Sequence, residues 1–232
     1  MVATSTPDPA AVISEAAEGI FATVAEVRRL SLACYDAAAA AGRAFDDADV
    51  SGLAPAFVDL LAAPGQPVVG LGIILEPGTV SGHPLRLEWW QRAPGRDTPS
   101  RLEVDLRPDS LGFYDYTAAD WFAVPRRTRD RHVVGPYVDV HGTDRYLLTL
   151  TMPLEAGGRF LGVAGADVPI SGFETMVLRR LGRSEAILAN EEGRVVVSTS
   201  SRWITGCLVP DHERRPGLRL AQLPWELVDL PR

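Results

Sequence analysis

The sequence changes its hydrophobic period once, and this change limits the fold more than any other feature. From Asp8-Pro9 to the neighbourhood of Gly42, apolar residues recur at three- and four-residue steps, the pattern of one long amphipathic helix. Asp8 suits the N-cap position and Pro9 the first helical turn. Beyond residue 67 the pattern shifts to short β-branched runs and to alternation of apolar and polar residues. The chain is therefore predicted to be α+β, with a long N-terminal helix followed by strands.

The strand pattern divides into segments separated by turn residues. The predicted strands cover residues 68–75, 85–92, 102–106, 146–154, 159–167, 185–189 and 194–199. The turn Ala156-Gly157-Gly158 joins the two longest of them as a hairpin. Further helices are predicted at residues 53–63 and 173–181, with a short one near Thr117, whereas the segment from Gly206 onward is Pro-rich and poorly patterned. These elements predict one antiparallel sheet with helices packed on one face.

Charge and composition exclude several partners. The formal net charge is −7, and all 23 basic residues are Arg, so the chain lacks the basic excess of a nucleic-acid-binding domain. The apolar runs are too short for a membrane helix, and the N-terminus has no signal-peptide pattern, so a cytoplasmic location without membrane insertion is expected. Cys34 and Cys207 do not have metal-ligand spacing, and the sequence leaves open whether they pair.

The chain lacks the common motifs for cofactor, metal and nucleophile chemistry. Its Gly-rich pieces at residues 70–72 and 162–165 do not have phosphate-loop spacing, and glycine within a strand indicates a bulge or a close backbone approach instead. No two of the four histidines share a helix at four-residue spacing, and no Gly-x-Ser-x-Gly elbow is present. We therefore expect neither a cofactor nor a metal site.

Aromatic residues concentrate in a polar, irregular segment, residues 114–122. Aromatic side chains with polar groups in such a segment often line a ligand pocket. They also serve as anchors that hold an insert against a sheet. The segment by itself favours the two interpretations equally.

Five pieces in a fixed order resemble the Cache family of PAS-like sensory domains. They lie at residues 116–125, 135–139, 146–154, 158–168 and 186–198. In family terms these are an aromatic pair in a short helix, a Pro-Tyr opening a strand, a long strand ending in Pro, a Gly-Val-x-Gly-x-Asp strand, and a closing hairpin. The resemblance implies a central antiparallel sheet with the long N-terminal helix packed behind it, in the stand-alone soluble form. It divides one domain, residues 1–232, into a helical part (1–65), a PAS-like sheet (66–201) and a C-terminal tail (202–232).

The resemblance also implies a ligand site between the sheet and the aromatic insert. In amino-acid-binding members, an Arg two residues before the Trp takes the ligand carboxylate, while the Tyr after Pro and the Asp of Gly-x-Asp take its amine. The matching residues here are Trp121 with its neighbour Phe122, then Tyr137 and Asp167, whereas Ala119 stands at the Arg position. The amine-binding half of such a site is thus present and the carboxylate-binding half is missing, which does not favour plain α-amino-acid recognition.

The leading hypothesis is a non-catalytic sensory domain that binds a small polar, amine-bearing metabolite. The predicted ligand-binding residues are Tyr116, Trp121, Phe122, Tyr137, Asp139 and Asp167. In this hypothesis Asp167 offers a carboxylate to a cationic or hydrogen-bond-donating group, Tyr137 and Tyr116 offer hydroxyls, and Trp121 forms an apolar or cation–π wall.

Two other functions compete with this hypothesis. One is a small-molecule enzyme that uses Asp139 or Asp167 as a general base, and the other is a protein-interaction scaffold with a collapsed pocket. A sensor without an output domain would signal through a partner protein that the sequence does not identify. The length and apolar stripe of the N-terminal helix predict a homodimer formed through that helix.

Overall fold

The computed structural model describes residues 7–65, 67–92, 98–140, 145–182 and 184–229. The helices are α1 (Pro9–Ala40), α2 (Asp47–Ser51), α3 (Ala54–Ala62), α4 (Asp120–Thr128) and α5 (Ile170–Leu181). The strands are β1 (Gly70–Leu75), β2 (Leu87–Gln91), β3 (Ser100–Arg101), β4 (His132–Val138), β5 (Tyr146–Ala156), β6 (Arg159–Pro169), β7 (Ile187–Asn190), β8 (Val195–Ser198), β9 (Arg215–Arg219) and β10 (Trp225–Asp229). A single 3₁₀ turn, Tyr116–Ala118, precedes α4.

The central sheet has six antiparallel strands in the order β3-β2-β1-β6-β5-β4. Its long hairpin, β5–β6, turns at Gly157 and Gly158, whose φ angles of 56° and 77° suit residues without a Cβ. The predicted α+β fold with a central antiparallel sheet is therefore confirmed, and the hairpin lies where the sequence places it.

Helix α1 packs against one face of this sheet, on β5 and β6. It begins as predicted, because the Asp8 carboxylate caps it by accepting a hydrogen bond from the amide of Ala10 at 3.1 Å. Its apolar side chains, among them Ile13, Ile20 and Val24, belong to the main core. The apolar stripe that motivated the dimer prediction is thus buried within the domain itself.

The expectation of a single sheet is wrong, because a second sheet lies at the C-terminal end. Its order is β8-β7-β10-β9, so the predicted closing hairpin continues into two strands from the segment expected to be poorly patterned. Trp225 pairs with Asn190 across β10 and β7, and its ring lies 5.4 Å from that of Phe173 on α5. The buried Trp225 side chain therefore anchors the tail. The Pro-rich composition of the tail did not indicate this contact.

Three other local predictions differ from the structure. Residues 102–106 do not form the predicted strand; β3 ends at Arg101, and Leu102 and Val104 pack with the insert. Strand β4 starts at His132, before the Pro136-Tyr137 pair that the resemblance expects to open it, and α2 was not predicted. The apolar residues alternate over 102–106 because every second side chain packs inward. An extended loop can meet this packing requirement as well as a strand can.

The structure bears on the two cysteines and on the expected absence of a membrane helix. Cys34 and Cys207 are both free. In the part of the chain that the structure describes, no helix combines the length and apolarity that crossing a membrane requires.

Candidate ligand-binding site

The two faces of the central sheet carry different cores. Alternate residues such as Leu71, Ile73 and Ala164 point to the α1 side and join the main core. The opposite face carries a second cluster in which Ile74 and Val163 from the sheet meet side chains of the insert. This second cluster comprises Ile74, Leu87, Trp89, Tyr116, Trp121, Phe122, Phe160 and Val163. The insert that includes α4 therefore covers the sheet face away from α1.

A cavity lies between the insert and this face of the sheet. Its polar lining consists of Tyr114, Tyr137, Asp139, Thr149 and Asp167. Its apolar lining consists of Ile74, Leu87, Trp89, Leu102 and Trp121. The volume is about 30 Å³, which is room for about two water molecules. A ligand of more than a few atoms therefore requires some of these side chains to move.

Two of the wall residues also border a larger space. Trp121 and Tyr137 line a cleft of about 410 Å³ between α4, β4 and the turn after β7. The described lining of this cleft includes the carboxylates of Asp120, Glu191 and Glu192 and no Arg. Trp121 and Tyr137 therefore lie between the cavity and the cleft.

Asp167 is the buried carboxylate of the cavity. Its side chain lies on β6 and is 5% exposed, and its Oδ1 accepts a hydrogen bond from Thr149 Oγ1 at 2.7 Å. Burial raises the pKa of Asp167 to about 7, and the nearby Asp139 raises it as well, against the lowering effects of the Thr149 hydrogen bond and Arg145. The carboxylate thus lies in an environment that disfavours its charge.

The protein does not compensate this charge with an ion pair among the residues that the structure describes. Arg126 forms an ion pair with Glu76, and Arg145, whose charge acts on Asp167, donates a hydrogen bond to the carbonyl of Arg92 at 2.6 Å. A buried carboxylate without an ion pair is costly, and the raised pKa of Asp167 reflects that cost.

The predicted residues Tyr137 and Asp139 lie beside Asp167. The Tyr137 hydroxyl is 2.9 Å from Thr149 Oγ1, and burial raises the pKa of this phenol well above its ordinary value. Burial likewise raises the pKa of the Tyr114 phenol across the cavity, and Asp139 and Asp167 add to the effect. Both phenols therefore remain neutral at physiological pH and act through hydrogen bonds.

The other two predicted residues lie behind the cavity wall. Tyr116 is fully buried; its hydroxyl donates to the carbonyl of Leu75 at 2.7 Å and accepts from the amide of Arg86 at 3.2 Å. Burial raises the pKa of Tyr116 to about 12. Phe122 is also fully buried, edge-to-face with Tyr116 at 5.4 Å between ring centroids. These two side chains hold the insert on the sheet and are not part of the described cavity lining.

The structure adds lining residues that sequence reasoning did not select. Tyr114 belongs to the aromatic segment already singled out, where Tyr116 was chosen instead. Trp89 shares its alternation pattern with Leu87, which marks both as inward-facing. Thr149 gave no signal of its own, since only the register that pairs Thr149 with Asp167 across β5 and β6 brings it to the site.

Glycines allow neighbouring strands of the central sheet to approach closely. A Cβ on Gly72 would come 2.0 Å from the carbonyl oxygen of Glu88, and one on Gly162 would come 2.2 Å from that of Ile74. The interpretation of the Gly-rich strand segments as close backbone approaches is therefore confirmed.

No family model matches the chain. A curated relative, the methyl-accepting chemotaxis protein TlpQ of Pseudomonas aeruginosa, is 27% identical over 127 residues, which is 47% of this chain and 18% of the relative. The chain thus spans about a fifth of that receptor's length.

Solved structures show the fold. Methyl-accepting chemotaxis protein X superposes with a TM-score of 0.67 at 16% identity, over 96% of this chain and 94% of that one. The ligand-binding domain of the P. aeruginosa PAO1 chemoreceptor PctC, in complex with GABA, gives 0.53 at 17% over 96% and 95%. The extracellular domain of the histidine kinase mmHK1S-Z3 gives 0.57 at 16% over 81% and 66%. The chain has the PAS-like, Cache-type fold of chemoreceptor and sensor-kinase ligand-binding domains, as predicted.

Proposed function

We propose that the protein is a non-catalytic sensory domain that binds a small organic cation, an amine without an α-carboxylate. The observation that carries this proposal is the pair of carboxylates, Asp139 and Asp167, in a cavity whose described lining includes four aromatic side chains and no basic one. Carboxylates and aromatic faces both attract an ammonium group, and the attraction is stronger in a site shielded from water.

The position of Ala119 supports the absence of a ligand carboxylate. Ala119 stands where the resemblance implies a carboxylate-binding Arg, and it packs half-buried against the apolar cluster of the insert. A carboxylate entering the cavity would face Asp139 and Asp167, and the described lining of the cavity includes no guanidinium. The GABA complex of PctC supports only the amine half of this proposal, because GABA carries both groups.

The rival function, an enzyme with Asp139 or Asp167 as a base, has one observation in its favour. A carboxylate with a pKa of about 7 is suited to proton abstraction near neutral pH. The structural neighbours are binding domains of receptors and sensor kinases, which supports a sensor. Mass spectrometry of a bound amine after prolonged incubation separates the two functions, since a sensor returns its ligand unchanged.

Isothermal titration with matched triplets tests the ligand class. One triplet is ethylamine, alanine and propanoate, and a larger one is 2-phenylethylamine, phenylalanine and 3-phenylpropanoate. We expect the amine to bind most tightly in at least one triplet and the acid without an amine not to bind. The proposal would be overturned if, in both triplets, the amino acid or the acid without an amine bound more tightly than the amine.

Asp167→Asn provides the matching variant. We expect it to lose about 2–5 kcal/mol of amine binding, because the charge-assisted contact disappears and the ligand charge is left uncompensated. Asp36→Asn is the control, since Asp36 is an exposed carboxylate on α1. Equal affinities in the two variants would remove Asp167 from the site.

The remaining expectations stay predictions. They are the cytoplasmic location, the homodimer, the output partner and the assignment of residues 1–232 to one domain. The mmHK1S-Z3 neighbour is an extracellular domain and therefore lends the cytoplasmic location no support.

A further inference from the structure

Three side chains of the cavity form a continuous hydrogen-bonded chain. Tyr137 on β4, Thr149 on β5 and Asp167 on β6 lie on adjacent strands. The Tyr137 hydroxyl is 2.9 Å from Thr149 Oγ1, and Thr149 Oγ1 is 2.7 Å from Asp167 Oδ1. Thr149 is 3% exposed, so its hydroxyl sits between the other two groups with little access to water.

The direction of this chain follows from the number of protons. A Thr hydroxyl has one hydrogen, and an ionised carboxylate can only accept. While Asp167 is charged, Thr149 donates to it, and the Tyr137 O–H must in turn donate to Thr149. The remaining lone pairs of Tyr137 then act as acceptors. The cavity presents two adjacent acceptors to an ammonium group, one from Tyr137 and one from the Asp167 carboxylate.

A proton on Asp167 allows the opposite direction. The acid can donate to Thr149, Thr149 to Tyr137, and the Tyr137 O–H then turns toward the cavity as a donor. An ammonium would meet a donor where it had met an acceptor, and it would lose the negative charge at the same time.

We propose that Thr149 determines the specificity of this site by coupling the charge of Asp167 to the direction of the Tyr137 hydroxyl, so that a cation binds only as Asp167 gives up its proton. This inference rests on the proposed function, because it assumes that the cavity takes an amine. In this proposal the same three side chains respond both to the ligand and to the local pH.

The groups facing Asp167 make such an exchange accessible near neutral pH. Asp139, which follows β4, disfavours the charge, and Arg145, which precedes β5, favours it. Tyr114 from the insert and Tyr137 from β4 are neutral phenols, while Gly70 and Trp89 close the side toward β1 and β2. With burial as the largest effect, the pKa of Asp167 rises to about 7.

A titration without ligand tests the coupling directly. Carbon-13 NMR of the Asp carboxyl groups, with Asp167→Asn to assign the signal, gives the Asp167 midpoint in the wild type, Thr149→Val and Thr149→Ser. We expect a midpoint near pH 7 in the wild type. Thr149→Val should raise it by about one unit, because the carboxylate loses its hydrogen-bond donor. Thr149→Ser, which keeps a hydroxyl, should restore the wild-type value. A midpoint unchanged in Thr149→Val would overturn the role of Thr149.

Ethylamine is the probe for the second half of the proposal. It stays charged between pH 6 and pH 8, because alkylammonium groups titrate near pH 10. Its affinity in the wild type and Thr149→Ser should fall by about tenfold from pH 8 to pH 6, as Asp167 takes up a proton. Titrations at pH 7 in two buffers of different ionisation enthalpy should show release of about half a proton per ligand.

A variant of Tyr137 tests the hydrogen-bonded chain separately from the rest of the site. Tyr137→Phe should weaken ethylamine binding and make its pH dependence shallower, because only the charge of Asp167 then changes with pH and no hydroxyl turns toward the ligand. Thermal melts establish that each variant is folded at the temperature of the titrations. Binding that is independent of pH would refute the proton exchange and leave the amine proposal intact. If ethylamine does not bind at all, the proposed function loses support, and the NMR titration still decides the role of Thr149.

Discussion

The indole of Trp89 lies so close over Gly70 that a Cβ at residue 70 would be 2.9 Å from Trp89 Nε1. The same Cβ would be 3.2 Å from Asp167 Oδ2. At the other end of the indole, a Cβ on Gly165 would be 3.3 Å from the six-membered ring. The two glycines, on β1 and β6, therefore form a bare patch of sheet on which Trp89 lies as the back wall of the cavity.

Gly70→Ala tests this relationship. The added methyl must displace Trp89 or the Asp167 carboxylate, and overpacking of this kind costs about 1–3 kcal/mol. We expect the affinity for an amine probe such as ethylamine to fall by about tenfold.

The control for this variant is Gly19→Ala on α1. A Cβ at residue 19 meets no atom within 4 Å, and alanine stabilises a helix interior by about 0.5–1 kcal/mol relative to glycine. Thermal melts and titrations of both variants provide the comparison. Unchanged binding in Gly70→Ala would mean that the back wall is not in contact with the ligand.

Asp167→Asn should stabilise the ligand-free protein, and more so at high pH. In the unfolded chain this carboxyl titrates near 3.8, whereas in the folded protein its pKa is about 7. Folding therefore becomes less favourable as the pH rises from about 4 to about 7, and the full cost remains above that range. Between pH 5 and pH 8 the wild type loses about 2–3 kcal/mol that the Asn variant does not lose.

Melting curves at pH 5 and pH 8 measure this difference, with Asp36→Asn as the exposed control. The Tm advantage of Asp167→Asn should widen at pH 8, while the control should follow the wild type at both pH values. If Asp167→Asn instead melts well below the wild type at pH 8, the carboxylate stabilises the fold, and its assignment to the ligand fails.

Much of the fold could be predicted because its strongest signals are local. The α1 start depends on Asp8 and Pro9 alone, and the β5–β6 hairpin depends on two adjacent glycines at its turn. The second sheet could not be predicted in this way. Strand β10 pairs with the distant β7 and carries β9 at its other edge, and Trp225 packs on Phe173. Neither contact leaves a periodic pattern in the tail.

The site residues likewise differ in whether the sequence alone could predict them. Trp121, Tyr137 and Asp167, which the family resemblance implied, line the cavity together with the predicted Asp139, whereas Phe122 and Tyr116 do not. Thr149 reaches the cavity through strand register, which the composition of a single strand does not determine.

The homodimer prediction needs a different test from removal of the helix, since α1 supplies part of the core. The face of α1 turned away from the domain carries exposed small residues, among them Ala22, Ala25 and Ala33. If this face pairs with a second copy, Ala25→Arg should convert a dimer into a monomer in light scattering at tens of micromolar protein. Ser201→Arg, an exposed loop position, is the control. A wild-type monomer at that concentration would end the prediction.

Arg86, just before β2, and Glu88 on β2 form a buried ion pair at 3.0 Å. The Arg86 Nε donates to Asp47 at 2.6 Å, and its Nη2 donates to Ser51 at 3.0 Å, so the guanidinium also holds α2. The Glu88 side chain is 2% exposed, and a second pair at 3.1 Å links it to Arg101 at the end of β3.

Arg86→Ala should therefore cost about 3–5 kcal/mol of the free energy of unfolding, because it leaves a carboxylate buried with one exposed partner. Arg107→Ala is the control: Arg107 pairs with Asp105 at 2.9 Å, but its side chain is 76% exposed, and water replaces the contact. Urea unfolding followed by tryptophan fluorescence measures both variants. We expect the midpoint to fall sharply in Arg86→Ala and to stay near the wild-type value in Arg107→Ala. Equal midpoints in the two variants would mean that the Arg86 contacts contribute no more to stability than a surface pair does.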